Sequence, residues 1–445
     1  MAMHEAPDST AAIERFRTLL RIPTVSRLDA HETDWSVFDR FAEALPRLYP
    51  AVHSVTTREF VAERSMLYRW AGASAENPTV LMAHYDVVPV GDEPWEHPPF
   101  DAVLEGGVLH GRGTIDDKGA LVAILEAAER LAASGFTPAN DVYFSFGHDE
   151  EVAGTAAGMV VDVLKSRGIR PSLVLDEGGA IVEPGLVAGV EVPLAVIGVT
   201  EKGIMSVTLT VDQPGGHAST PPLLTSTARL ARAIVRLTRS PFPITMNDAV
   251  IAFVESLAGH SSGARRTLFS NARRLSPIVG RLFSRIGDET RAMVRTTAAV
   301  TELHGSDGAN VLPERASATV NVRIAVGSSV SRTVRHMRKA IRDEHVAIEV
   351  IRPSEPSPVS PSSGPAWQRI ADAITAVYPD VAPTPYTMLA ASDARHFTRI
   401  SECVYRFTPF ELHAEQRATL HARGEHIVVA SWLRGIDIYE RILRS

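Results

Sequence analysis

A chain of 445 residues has room for two or three domains and for a core that needs no disulfide support. With 45% apolar and 22% charged residues it is neither disordered nor fibrous, and no stretch nears the ~18 consecutive apolar residues of a membrane-spanning helix. The net charge of −7 argues against a general attraction to nucleic acid or anionic lipid, and the single cysteine, Cys403, rules out an intrachain disulfide and fits a reducing cytoplasm. The opening MAMHEAPDST has neither a basic nor an apolar targeting region, so no secretory signal is expected.

Up to about residue 198 the pattern alternates strands and helices. Thr79–Ala83, Val142–Phe146 and Leu173–Leu175 are short apolar runs of buried-strand type, and Gly119–Ala133 reads as a helix stopped by Gly135 and Pro138. This order predicts a mainly parallel sheet with crossover helices. Residues 199–357 read as strand (KGIMSVTLTVDQP), helix (TSTARLARAIVRLTRS), strand (ASATVNVRIAV), helix (SVSRTVRHMRKAIRD) and strand (VAIEVIRP). They predict an inserted two-layer, ferredoxin-like α/β domain. Within it lies an Arg-rich helical insertion at about 242–295, whose Leu275, Ile278, Val279, Leu282, Phe283 and Ile286 fall at helical spacing, as for an amphipathic helix over the insert. The connector PSEPSPVSPSSGP returns the chain to the first domain, which is then discontinuous, 1–198 and 358–445.

The chemistry gathers in four segments, VLMAHYD (80–86), GRGTIDDKG (111–119), VYFSFGHDEE (142–151) and LVLDEGG (173–179), each read as a turn after an apolar strand. Parallel strands open their carboxyl ends on one edge, where ligands collect. That would bring together His84, Asp86, Asp116, Asp117, Glu150, Glu151, Asp176 and Glu177. So much negative charge repels itself, and one or two divalent metals are the remedy. Imidazole plus carboxylate without thiolate suits zinc. Asp86, two residues past His84, is placed to accept the ring's other N–H. No G-x-S-x-G elbow, phosphate-binding loop, G-x-G-x-x-G or H-E-x-x-H is present.

AHYDVVP, GRGTIDDKG, DEE at 149–151, LDEGG and GGHAST together resemble the co-catalytic zinc peptidase family of aminoacylases, carnosinases and glutamate carboxypeptidases. With ASDARHF and HARGEHI, the likeness is closest to the carboxypeptidase S branch, which includes N-acyl amino acid hydrolases, and it spans nearly the whole chain. The resemblance implies two zinc ions per subunit, replaceable by cobalt or manganese, with Asp116 bridging them. It assigns His84 and Glu177 to one metal, with Asp176 an open alternative to Glu177. It assigns Glu151 and His421 to the other, with His413 and His426 as rivals of His421. It makes Glu150 the general base, and implies a cis peptide at Asp116–Asp117. The insert becomes a lid and dimerisation domain. His217 would stabilise the transition state, reaching the partner's site in a homodimer, and Asn310 and Arg323 would contact substrate, Arg323 as a fork for a carboxylate.

The implied reaction is hydrolysis of the amide bond of an N-acyl amino acid, or of a short peptide with a free carboxylate, by water activated at the metals. A dipeptidase or a deacylase of another N-acylated metabolite stays open, as does an inactive metal-binding scaffold. No ligand or base is missing, which speaks against the scaffold.

Overall fold

The computed structural model describes residues 7–445 apart from 93, 186 and 188. Residues 1–6, on which part of the reading of the amino terminus rests, lie outside them. The first eight strands are Thr56–Val61 (β1), Ser65–Trp70 (β2), Ser74–His84 (β3), Val103–Glu105 (β4), Val108–His110 (β5), Asn140–Gly147 (β6), Leu173–Val182 (β7) and Leu194–Glu201 (β8). Then come Gly203–Asp212 (β9), Gly216–His217 (β10), Thr297–His304 (β11), Val311–Leu312 (β12), Arg315–Ile324 (β13), Ala347–Ser354 (β14), Ala382–Met388 (β15), Val404–Glu411 (β16) and His426–Val428 (β17).

A central sheet runs β1-β2-β6-β3-β7-β16-β8-β15. Its middle, β6-β3-β7-β16, pairs in parallel, as β15 does with β8, while β1 and β2 add an antiparallel edge. Alternate residues of β3 serve opposite faces, which is why the strand reads as a continuous apolar run. Leu81 and Ala83 pack under the helices Lys118–Ala133 and Val429–Arg444, and Val80 and Met82 under Ala156–Ser166. Among the described residues no helix is long and apolar enough to cross a membrane.

A second sheet, β11-β13-β9-β14, is wholly antiparallel. Burial alternates along β9 and β13, and Leu230, Leu237, Met337 and Ile341 of the helices Ser226–Thr238 and Val330–Ile341 cover the apolar face. The chain enters this sheet through Lys202, between β8 and β9, and β14 ends at Ser354. Its fourth strand, β11, is absent from the strand–helix–strand–helix–strand expectation. Nearly all of TAAVTELH is exposed at a sheet edge, so it carries no alternation to read.

Three other expectations need correction. GRGTIDDKG does not follow a strand of the central sheet; it follows β5, in a small separate sheet β17-β5-β4. LDEGG is not a turn after a strand but lies inside β7, which runs on to Val182. A Cβ on Gly179 would fall 1.7 Å from the Val196 carbonyl, so the glycine lets β7 pass closely beside β8. The Arg-rich insertion is four α-helices, Asp248–Ser256, Gly263–Ser270, Ser276–Ile286 and Asp288–Met293. Val279 and Phe283 insert beside Val196 and Tyr386, at the β8–β15 edge of the central sheet rather than over the small one.

Candidate metal centre

β3 ends on His84, which brings its ring to the carboxyl edge of the central sheet. Its Nε2 lies 3.0 Å from Oδ1 of Asp116 and 3.6 Å from Oε1 of Glu177. The other oxygen of Asp116, Oδ2, lies 2.9 Å from Nε2 of His421, which is 3.1 Å from Oε2 of Glu151. Each oxygen of Asp116 thus faces a different histidine. Two groups result, His84–Asp116–Glu177 and Asp116–Glu151–His421, and within each the donor atoms lie within 4.8 Å of one another. The Asp116–Asp117 peptide is cis, and Asp117 Oδ2 accepts the His84 amide at 3.2 Å.

Asp86 organises this edge from beneath. Fully buried, it meets Nδ1 of His84 with its main-chain carbonyl at 3.0 Å and its carboxylate at 3.3 Å, and the carboxylate accepts Ser26 Oγ at 2.8 Å, the Glu150 amide at 3.3 Å and the Glu151 amide at 3.1 Å. Holding Nδ1–H turns the Nε2 lone pair toward Asp116 and Glu177, and the two amide contacts set the turn that presents both glutamates.

The acids are held together against their charge. Burial and the neighbouring Asp116 push Glu177 up to about 8, and burial with Glu177 lifts Glu150 well above the carboxylate range. Hydrogen bonds to Asp116 and Glu151 push His421 up to about 10. Asp116 itself, despite burial, is held below its ordinary value by hydrogen bonds from His421 and His84. Crowded acids shifted in this way are stabilised by positive charge, which two dications would supply. Glu151 Oε1 is buried with no hydrogen-bond partner among the described residues, an acceptor that a cation would satisfy. The residues therefore fit a pair of divalent metals.

The rivals fall elsewhere. Asp176 points away from the cluster, its Oδ2 accepting the Ala394 amide at 2.7 Å, as expected for neighbours on one strand. His413 is exposed beside Glu183, and His426 stacks by His110. Arg323 of β13 is likewise absent from the lining of the cavity over the acids, and its Nε donates to Asn321 Oδ1 at 3.3 Å; burial and the neighbouring Arg395 lower its affinity for its proton, while Glu150 raises it. His217 pairs with Val311 in a separate two-stranded ribbon, and Asn310 stands just before its second strand, its carbonyl accepting the Ala218 amide at 2.9 Å. His217 is exposed, with Nδ1 2.8 Å from Ser219 Oγ, and neither residue lines the cavity over the acids.

Two residues escape sequence reasoning. Glu425, in HARGEHI, is fully buried, pairs with Arg112 at 2.7 Å and accepts the amides of Gly113, Ile115 and Asp116. It fastens the His421 loop to the Asp116 turn. Arg395, in ASDARHF, stands between Arg323 and Glu201, its Nε 3.7 Å from Glu201 Oε1. Glu425→Ala should cost about 3–5 kcal/mol, because Arg112 is left buried and unpaired. Urea unfolding checks this, and metal titration should show weakened binding at the His421 side.

A cavity of about 270 Å³ opens over the cluster. Asp116, Glu150, Glu151, Glu177 and His421 line it together with Val182, Val196, Met388, Leu412, Tyr386, Glu289 and Arg417. A larger crevice of about 1130 Å³ lies at the amino ends of the strands, among Lys165, Arg170, Arg369 and Arg399, and holds none of these residues.

Known proteins place this geometry in context. The N-fatty-acyl-amino acid synthase/hydrolase PM20D1 of Homo sapiens is 34% identical over 432 residues, 96% of this chain and 86% of that one. The probable carboxypeptidase S-like 2 of Dictyostelium discoideum is 33% identical over 413 residues, 92% of this chain and 79% of that one. The fold is shared with the M20 family metallo-carboxypeptidase Sso-CP2 from Sulfolobus solfataricus, with a TM-score of 0.72 over 97% of this chain and 98% of that one at 17% identity. The profile of peptidase family M20/M25/M40 matches residues 80–445. With relatives of this identity along nearly its whole length, the chain belongs to that family, in the carboxypeptidase S and N-acyl amino acid hydrolase branch, and is a metallohydrolase.

Proposed function

We propose that this chain hydrolyses the amide bond of N-acyl amino acids, releasing a carboxylic acid and a free amino acid. The observation that carries the reading is that one cavity is lined by Asp116, which faces a histidine with each oxygen, by Glu150, and by the apolar Val182, Val196, Met388 and Leu412. His84, Asp116, Glu151, Glu177 and His421 would hold two divalent ions, zinc by their donor chemistry, with cobalt or manganese as substitutes. When bound, these would supply Lewis acidity to the amide carbonyl and to water.

The protein's own groups do the rest. Glu150 takes a proton from the attacking water, whose oxygen bonds to the carbonyl carbon, and passes it to the leaving nitrogen as the C–N bond breaks. Burial keeps Glu150 basic enough for both transfers. We assign Arg323, on which the charge of Glu150 acts, to the substrate carboxylate, and Val182, Val196 and Met388, which line the cavity, to the acyl group. Glu289, which lines the same cavity, favours a second reading, a short peptide whose ammonium group it would meet. A release assay over N-acyl amino acids and dipeptides, with zinc supplied, separates the two. Acyl amino acids should be cleaved faster; faster cleavage of dipeptides would support the second reading, and no release from either would sink both.

His217 and Asn310, away from the cavity at their ribbon, are assigned to the partner's site in a homodimer in the cytoplasm. Exposed lid strands offer the edge for such pairing, and an imidazole N–H aimed at the developing oxyanion is worth about 3 kcal/mol. Mixing two inactive variants, His217→Ala and Glu150→Gln, should restore up to about a quarter of wild-type activity by random subunit exchange. Mixed dimers without recovery would place His217 in its own chain's chemistry or in none.

A further inference from the structure

Helix Ser276–Ile286 has three zones. Val279 and Phe283 are buried against the central sheet. Beside them Ile278, Leu282 and Ile286, spaced by four, stand 54%, 40% and 52% exposed. Arg281 and Arg285, also spaced by four, border that apolar row and are exposed, with no ion pair among the described residues. Between Glu255 and Asp288 the chain carries six arginines and no acid, and of the six Arg273 is paired, with Asp248 at 3.0 Å.

We propose that this face docks the protein on an anionic lipid bilayer. Apolar side chains in a row beside arginines suit the boundary between acyl chains and anionic headgroups. The chain's net charge of −7 opposes general binding, so the attraction is confined to this patch. A second copy fits less well, since a two-fold contact would set arginine against arginine. A nucleic acid would leave the apolar row without a partner.

The position matters for turnover. The chain turns at Gly287 and brings Glu289 to the cavity wall, where its carboxylate accepts the Tyr386 hydroxyl at 3.1 Å. A docked helix therefore holds the cavity next to the bilayer, and an acyl amino acid is an amphiphile that collects there. This consequence rests on the function proposed above, whereas the docking itself does not.

The test is cosedimentation of the full chain with vesicles of phosphatidylcholine, alone or mixed with phosphatidylglycerol. Binding should appear with the mixed vesicles, fall with added salt, and be lost in Ile278→Ser/Leu282→Ser/Ile286→Ser. Arg281→Gln/Arg285→Gln should weaken it about 30-fold, the change that ~1 kcal/mol per arginine implies. Both variants change exposed side chains and should keep the melting temperature and the rate on a short, soluble N-acyl amino acid. Equal binding to both vesicles, unchanged binding of either variant, or a dimer that the serine variant dissociates would overturn the proposal. So would salt-sensitive binding of a DNA probe in place of vesicles. Sedimentation does not depend on turnover, so failure to cleave any acyl amino acid would count against the function alone.

Discussion

Stripping divalent metal with a strong chelator should abolish hydrolysis, and zinc or cobalt should restore it. The structure gathers Asp116, Glu150, Glu151 and Glu177 within one buried edge with only two histidines against them. In the stripped protein burial and this crowding push Glu177 up to about 8 and raise Glu150, both toward the protonated form, while hydrogen bonds to Asp116 and Glu151 push His421 up to about 10. Divalent ions held by the two donor groups would offset the crowded negative charge and favour the carboxylate form of Glu150. The same argument makes metal a stabiliser: at 100 times its dissociation constant, a ligand specific to the folded state adds about 2.7 kcal/mol. The melting temperature should therefore fall and recover together with activity. Full activity in protein shown by elemental analysis to be metal-free would remove the metal reading altogether.

What could be read in the sequence follows from how each residue is placed. His84 and the pair Glu150–Glu151 sit where apolar runs of the central sheet end, so strand periodicity alone leads to them. Asp116 was expected for the wrong reason: its turn leaves the small sheet of β5 and reaches the edge through Glu425, 309 residues away along the chain. No local pattern announces a partner at that distance. Glu425 looks like a surface acid in HARGEHI, just as Arg112 looks like part of a glycine turn. Asp176 and Glu177 are adjacent, and only the strand's direction separates the one that faces His84. β11 gave no signal because it is an exposed edge. The Arg-rich segment showed its helical spacing but not which sheet its Val279 and Phe283 would meet, since either apolar edge would accept them.

Glu150→Gln should leave both metals bound and slow hydrolysis by about 10²–10⁴-fold, the usual worth of a positioned base. The substitution preserves size and removes only the ability to take a proton. Glu151→Gln should instead release metal, because it neutralises a carboxylate that lies 3.1 Å from His421 and shares a donor group with Asp116. Sequence cannot separate these neighbours, and Asp86 holds the amides of both. Their side chains diverge: Glu151 turns into the Asp116–His421 group, while Glu150 joins neither donor group and lines the cavity. Metal content and steady-state rate, measured on both variants, decide the matter. A Glu150→Gln protein that has lost an ion, beside a Glu151→Gln protein that keeps two, would exchange the two roles. A Glu150→Gln protein with both ions and near-normal kcat would show that the proton is carried by another group, with Asp86 too deeply enclosed to reach the substrate.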